Sequence, residues 1–140
     1  MKNIIRCAFA GILLLAACSK KDDVQANASI NGKWSITADT VKHYESGHLL
    51  TANAIVGINS PYYLFNADGT GTFKNNGGLP DDIRYFKYTV SEKSITFATT
   101  NPDQSIYNAS GIIKKLTAND LTILFIGNNT DFQEIMYLKR

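Results

Sequence analysis

The sequence predicts an all-β fold: a single antiparallel, up-and-down β-barrel of about eight strands that follows a leader and a short tether. Three observations support this prediction. From residue 31 onward, runs of β-branched and aromatic residues alternate with turn signals, at a spacing of about 8 to 12 residues. Apolar and polar side chains alternate within several runs, as in half-buried strands. Because tight turns join most of the runs, closure into a barrel is favoured, since closure removes exposed strand edges.

The predicted strands and connections follow in chain order. The strands lie at 32–44, 61–66, 70–74, 83–90, 94–99, 106–115, 120–126 and 130–139. Asp68-Gly69 predicts a hairpin, because Gly accepts a positive φ. The segment 46–60 fits a strand, a short lid helix or a loop, and 75–82 fits a longer loop. In the last strand an inward face contains Phe132, Glu134, Met136 and Leu138, among which Glu134 fits poorly.

Residues 1–17 have the pattern of a cleaved secretory signal. Lys2 and Arg6 form a cationic start, and the uncharged run 8–17 is too short to span a bilayer core, which needs about 20 apolar residues. The sequence Leu15-Ala16-Ala17-Cys18 resembles the lipobox of bacterial lipoproteins. This resemblance implies that diacylglycerol is attached to the Cys18 thiol, that cleavage precedes it, and that 18–29 is a flexible tether before a barrel domain at 30–140.

The residues after Cys18 carry the localisation prediction. Ser19, rather than Asp, follows the lipidated position, and by resemblance to the lipoprotein sorting rule this implies the outer membrane. Lys21-Asp22-Asp23 resembles the export signal of surface lipoproteins in Bacteroidetes, although a solvated spacer explains it equally well. The expected location is therefore the outer membrane, at its periplasmic face or at the cell surface, with the membrane as partner through the N-terminal lipid.

The composition gives no support for nucleic-acid binding or for an internal disulfide. The leader carries two of the 14 basic residues, which leaves twelve basic against twelve acidic side chains in the mature chain. A neutral chain gives no electrostatic argument for binding nucleic acid. Cys7 leaves with the leader and Cys18 is consumed by lipid, so no internal disulfide is expected, and apolar packing must hold the fold.

Three motifs in order resemble the lipocalin-like domains of Bacteroidetes lipoproteins. Gly32-Lys33-Trp34 matches the Gly-x-Trp opening of lipocalins, 63–73 matches an Asp-Gly-Thr-Gly-Thr hairpin, and 134–140 matches the end of such domains. The resemblance implies a lipocalin-like barrel. It also implies that Gly32, Trp34 and Arg140 close one end, with the Arg140 guanidinium, or the Lys139 ammonium, across the Trp34 ring as a cation–π pair.

Catalytic and metal sites are not expected. No Gly-x-Ser-x-Gly elbow or free thiol occurs, and the adjacent carboxylates of Asp81 and Asp82 would point apart. A non-enzymatic protein without a cofactor is therefore predicted. Two candidate metal clusters are interpreted as turns, because neither has a complete ligand set: His43, Glu45 and His48, and Asn66, Asp68 and Thr70. Asp39-Thr40-Val41 fits a short O-glycosylation pattern of Bacteroidetes envelope proteins, which marks Thr40.

The predicted function is an outer-membrane-anchored binding module for a small apolar ligand or an envelope component. The candidate ligand site is the barrel interior near its mouth, lined by Phe65, Arg84, Phe86, Tyr88 and Phe97. The guanidinium of Arg84 is the group expected to hold a carboxylate or phosphate. The alternative is a structural or protein-interaction lipoprotein whose filled barrel presents the loops 46–60 and 75–82. No particular protein partner is predicted.

Overall fold

A computed structural model describes residues 23–25, 27–56, 61–75, 83–101, 103–127 and 131–140. The predicted signal 1–17, the lipidation site Cys18 with Ser19, and the Asp81-Asp82 pair lie outside the described residues. All barrel strands and core side chains given below lie between residues 23 and 140, so a chain that begins at Ser19 contains the whole described barrel.

The described residues form ten strands. They are β1 (Asp23–Val24), β2 (Gly32–Glu45), β3 (His48–Val56), β4 (Tyr62–Phe65), β5 (Thr70–Lys74), β6 (Ile83–Ser91), β7 (Ser94–Thr100), β8 (Ile106–Leu116), β9 (Asp120–Ile126) and β10 (Phe132–Lys139). The eight predicted strands are confirmed to within two residues at each end. No helix occurs among the described residues, and so none of bilayer-spanning length and apolarity is found there.

Eight of these strands close into an antiparallel barrel, which confirms the predicted architecture. The order around the barrel is β2, β4, β5, β6, β7, β8, β9 and β10, and β10 pairs back onto β2. Sequential strands pair as neighbours from β4 to β10, because short turns join antiparallel strands directly. At one end of the barrel lie the turns after β4, β6 and β8 and the C-terminus; the opposite end is the mouth.

Two strands lie outside this closed circuit. The segment 46–60, for which a strand, helix or loop was expected, contains β3, which forms a long hairpin with the distal half of β2. The expected flexible tether is corrected in part, because Asp23 and Val24 pair in parallel with Lys115 and Leu116 of β8. The Gln25 amide extends this pairing by donating to the Leu116 carbonyl. The chain therefore lies along the barrel wall before it enters β2.

The core fills the end of the barrel away from the mouth. Trp34 and Ile95 are fully buried there, with Leu121 and Leu138 beside them. The whole buried cluster comprises Ile30, Trp34, Phe65, Phe86, Tyr88, Ile95, Phe97, Ile113, Leu116, Leu121, Ile123, Met136 and Leu138. These side chains come from alternate positions along their strands, as expected where one face of a sheet is buried.

One hairpin chemistry occurs at two turns. After β4, the Thr70 amide and hydroxyl both donate to Asp68 Oδ1, at 2.9 and 2.6 Å, and Gly69 has a positive φ of 81°. This confirms a hairpin at the Asn66, Asp68 and Thr70 cluster. The same set of hydrogen bonds recurs after β7 at Asn101, Asp103 and Ser105. An Asn-x-Asp-x-Ser/Thr sequence is therefore the local code for a tight turn in this chain.

Candidate functional site

The closed end of the barrel is built around Trp34 and Arg140. The Arg140 guanidinium lies over the Trp34 ring, 4.2 Å from its centroid, and donates to the backbone carbonyls of Ser29 and Asn31. The Trp34 indole N–H donates to the Ile30 carbonyl at 2.6 Å. Gly32 has φ +117°, and its α-carbon faces the Arg140 side chain. These contacts close this end of the barrel and connect the segment before β2 to the C-terminal residue.

A cavity of about 760 Å³ occupies the other half of the barrel. It opens at the mouth, where its lining residue Tyr107 remains 63% exposed. The wall is mostly aromatic near the core, and amides and hydroxyls appear toward the rim. Its main lining side chains are Tyr63, Phe73, Arg84, Phe86, Phe97, Thr99, Tyr107, Phe125, Phe132, Glu134 and Met136.

The Tyr63 ring is the centre of the aromatic wall. Its centroid lies 4.8 Å from that of Phe73, 5.8 Å from that of Phe86 and 6.2 Å from that of Phe97. Most of these pairs are tilted or edge-on, which is the geometry that aromatic quadrupoles prefer. Because the rings support one another at several contacts, the wall is held in place without a ligand.

The predicted ligand residues divide into two groups. Arg84, Phe86 and Phe97 line the cavity, and Arg84 is exposed at its rim. Phe65 and Tyr88 do not line this cavity but pack in the core beneath it, so a role for them in ligand binding stays a prediction. Phe65 is 1% exposed, and the Tyr88 hydroxyl donates to Asn66 O at 2.7 Å and lies 2.9 Å from Asn31 Oδ1. Alternation correctly predicted the inward face of Phe86, Tyr88 and Phe97, but it could not predict their depth in the barrel.

A β-bulge in β2 determines which residues of that strand face the cavity. Leu138 lies opposite Ile36 but Tyr137 lies opposite Ala38, so Thr37 is an extra residue, and its hydroxyl donates to the Tyr137 carbonyl at 3.1 Å. Beyond the bulge the inward and outward positions are exchanged. Asp39 consequently lies opposite buried Met136, on the inner face.

The bulge brings two carboxyl groups together inside the barrel. Asp39 and Glu134 are diagonal neighbours on β2 and β10, close enough for each carboxyl to influence the pKa of the other. Asp39 Oδ1 is buried and has no hydrogen-bond partner among the described residues. Burial and the charge of Asp39 raise the pKa of Glu134 to about 7, and burial likewise raises the pKa of Asp39. At neutral pH the pair therefore shares a proton for part of the time.

The Tyr63 hydroxyl belongs to the same polar site. Burial first, and then the nearby charges of Glu134 and Asp39, raise the pKa of Tyr63, while the Arg84 guanidinium acts in the opposite direction. No hydrogen bond joins the Tyr63 hydroxyl to any of the residues that the structure describes. Because half-buried Tyr63 lines the open cavity, its unpartnered hydroxyl is available to hydrogen-bond a ligand.

The structure describes all three residues of the His43, Glu45 and His48 cluster. The His43 ring packs edge-on against Phe132, with the centroids 5.4 Å apart, and Glu45 and His48 are exposed at the tip of the β2–β3 hairpin. In the described part of the chain, no three His, Cys, Asp or Glu side chains are grouped closely enough to hold a metal ion. Thr40 lies in the middle of β2, opposite Ile135 and Ala54, and its glycosylation stays a prediction.

Sequence reasoning identified part of this polar site. Glu134 was noted as an acidic residue on an apolar face, and that mismatch was the available signal. The inward position of Asp39 is not predictable, because strict alternation from Trp34 places it outside and no residue type at 36–38 indicates a bulge. Tyr63 belongs to the aromatic residues that the sequence predicts either to fill the barrel or to line a pocket, and nothing in the sequence marks its hydroxyl as a binding group.

Comparisons with known proteins support the fold. No protein-family model and no curated protein sequence matches the chain. Among solved structures, a lipocalin-like protein from Bacteroides uniformis is similar with a TM-score of 0.52 and 14% identity, covering 79% of this chain and 96% of that one. The structure of LTBP1 in complex with LTC4 is similar with a TM-score of 0.53 and 10% identity, and the match covers 84% of this chain and 73% of that one.

A point mutant of LTBP1 in complex with leukotriene C4 is similar to the same extent, with a TM-score of 0.51 and 9% identity. At such low identity these likenesses report on the backbone architecture and not on residues of the site. Together with the closed eight-strand circuit, they confirm the fold predicted from the sequence. The conclusion from geometry and comparison is that this chain folds as a lipocalin-like β-barrel.

Proposed function

We propose that this protein is a lipid-anchored binding module of the outer membrane, and that its barrel cavity takes a small ligand with a large apolar part. The observation that carries the proposal is the open cavity of about 760 Å³ with an aromatic wall, directly above a fully packed core. Pockets of this size and lining are typical of small-molecule sites. The filled-barrel alternative leaves this open, preformed space without a role.

The energetics of such a site are favourable. Burial of apolar surface contributes about 25 cal/mol per Å², so a ligand that buries about 250 Å² gains about 6 kcal/mol before the cost of lost freedom. The aromatic wall is already ordered by its mutual ring contacts, which lowers the cost of ordering the site on binding. LTBP1, which has a similar fold, is a protein seen in complex with leukotriene C4, and this supports a ligand of comparable apolar character.

The proposed anchor would leave the mouth accessible from water. Cys18 precedes Asp23 by five residues, so the tether reaches at most about 18 Å. Asp23 pairs with Lys115 near the closed end, and β8 continues for nine residues from there to Ile106. At a strand tilt of about 40° these nine residues rise about 23 Å along the barrel axis. The mouth therefore lies farther from Asp23 than Cys18 can reach, and this supports entry of a ligand from the aqueous side.

The test of the pocket is binding of Nile red, a neutral apolar dye, to the chain that begins at Ser19. Thr99→Trp fills the cavity from β7, whereas Ala98→Trp places the same ring on the outer face of that strand. We expect dye fluorescence with the unmodified chain and with Ala98→Trp, and its loss with Thr99→Trp. Equal dye binding by both variants, with urea unfolding curves that show both to be folded, would overturn the proposed pocket.

A further inference from the structure

We infer that the ligand of this cavity is an organic cation whose ammonium group binds between the carboxyl of Glu134 and the hydroxyl of Tyr63, with the carboxyl of Asp39 supplying a second negative charge behind them. This inference rests on the proposed binding function and adds the chemical class of the ligand. It concerns a primary or secondary amine with an apolar body that fits the aromatic part of the cavity.

The first argument is electrostatic. Two carboxyl groups at diagonal positions of neighbouring strands repel each other when both are ionised, and this repulsion together with burial raises the pKa of Glu134 to about 7. A positive charge at the same place removes the repulsion and allows both groups to ionise. Asp39 Oδ1 is buried without a hydrogen-bond partner among the described residues, so a positive charge close by would offset the cost of burying it.

The second argument is the match of hydrogen-bonding groups. An alkylammonium has only donors, and the polar atoms that line this part of the cavity are acceptors when Glu134 is ionised. The Glu134 carboxylate has unused lone pairs, and the Tyr63 hydroxyl has no partner among the described residues. Tyr63 is a feature independent of the acid pair, because it comes from β4, on the opposite side of β2 from β10.

The third argument is the aromatic surround. The rings of Phe73, Phe86 and Phe97 stand around Tyr63 with centroid distances of 4.8 to 6.2 Å. Aromatic faces attract cations within about 6 Å and also accept the apolar body of an amine. The competing positive charge, that of Arg84, lies at the exposed rim, where water screens it more strongly than it screens the half-buried carboxyls.

The experiment uses three probes of equal chain length: decylamine, decanol and decanoate. Each is titrated into the chain that begins at Ser19 by calorimetry at pH 8, where Glu134 is mostly ionised. A hydrogen bond to a charged group contributes about 1.5–3 kcal/mol, which corresponds to about tenfold or more in affinity. We expect decylamine to bind about tenfold tighter than decanol, and decanoate to bind most weakly.

Substitutions assign the effect to the site. Glu134→Gln should lower the affinity for decylamine about tenfold, Tyr63→Phe should lower it less, and both should lower the affinity for decanol by a smaller factor than that for decylamine. Asp131→Asn removes an exposed carboxylate that does not line the cavity, and it should change no affinity. This variant controls for net charge, because it alters the total charge of the protein as Glu134→Gln does.

The outcomes separate this inference from the function on which it rests. Equal binding of decylamine and decanol, or unchanged decylamine binding by Glu134→Gln, would overturn the cation assignment while leaving an apolar pocket. Preferred binding of decanoate would also overturn the cation assignment and would indicate that Arg84 binds the charged group of the ligand. Failure of all three probes and of Nile red would refute the pocket itself.

Discussion

Replacing Glu134 by Gln should make the protein more stable at alkaline pH. Glu134 has an ordinary pKa of 4.5, and burial together with the charge of Asp39 raises its pKa to about 7 in the folded chain. Between these values the folded protein holds a proton that the unfolded chain has released. Stability is therefore greatest at acidic pH and falls as pH rises through about 7, because the folded state must then ionise a group that it disfavours.

The magnitude follows from the two pKa values. Their difference is about 2.5, and each pKa unit corresponds to about 1.4 kcal/mol, which sets an upper limit of about 3 kcal/mol. Glu134 is only half-buried and faces the solvent of the cavity, so screening reduces this to about 1–2 kcal/mol. We expect Glu134→Gln to raise the free energy of unfolding by that amount at pH 8.5 and to change it little at pH 5.

The assay is urea unfolding from pH 5 to pH 8.5, followed by the fluorescence of Trp34. Trp34 is the single tryptophan of the chain and is fully buried, so its emission reports global unfolding. The charged and titratable groups that face Glu134 are Asp39 on β2, Tyr63 on β4 and Arg84 on β6, with His43 farther along β2.

Two controls make this measurement specific. His43 lies opposite the cavity residue Phe132 on the same strand as Asp39, so His43→Gln is combined both with the unmodified chain and with Glu134→Gln. Asp39→Asn should also flatten the pH profile, because it removes the other half of the pair, whereas Asp131→Asn should leave the slope unchanged. The reasoning is refuted if Glu134→Gln retains the pH slope of the unmodified chain.

Three further predictions follow from the same structure. Gly71→Ala should cost about 2–3 kcal/mol in urea unfolding, because a Cβ there would lie 2.3 Å from the Phe86 ring and 2.6 Å from the Leu64 carbonyl; an unchanged midpoint would contradict this packing. Arg140→Ala should cost about 1–2 kcal/mol by the same assay, because it removes the cation–π contact and the hydrogen bonds at the closed end. Cys18→Ala should abolish acyl labelling and membrane fractionation, and labelling that persists would refute the lipid anchor.

Much of the closed end was predictable because its signals are local. The Gly-x-Trp opening, the Asp-Gly hairpin and the period of two within each strand are visible in short windows of sequence, and they correctly gave the strands and the faces of Phe86, Tyr88 and Phe97. The strand β3 was harder to predict, because the segment 46–60 fits more than one type of element. The pairing of Asp23 and Val24 with β8 could not be predicted, since it joins residues about 90 positions apart.

The sequence alone determined the class of fold, the alternation within the strands and the nearly balanced charge of the chain, because these depend on composition and on neighbours along the chain. Only the tertiary structure decided that the barrel is packed at one end and hollow at the other, since depth depends on which strands meet. It also decided that a bulge at Thr37 turns Asp39 inward to meet Glu134. One extra residue within β2 therefore determines which carboxyl groups face the barrel interior, and the local sequence pattern does not reveal it.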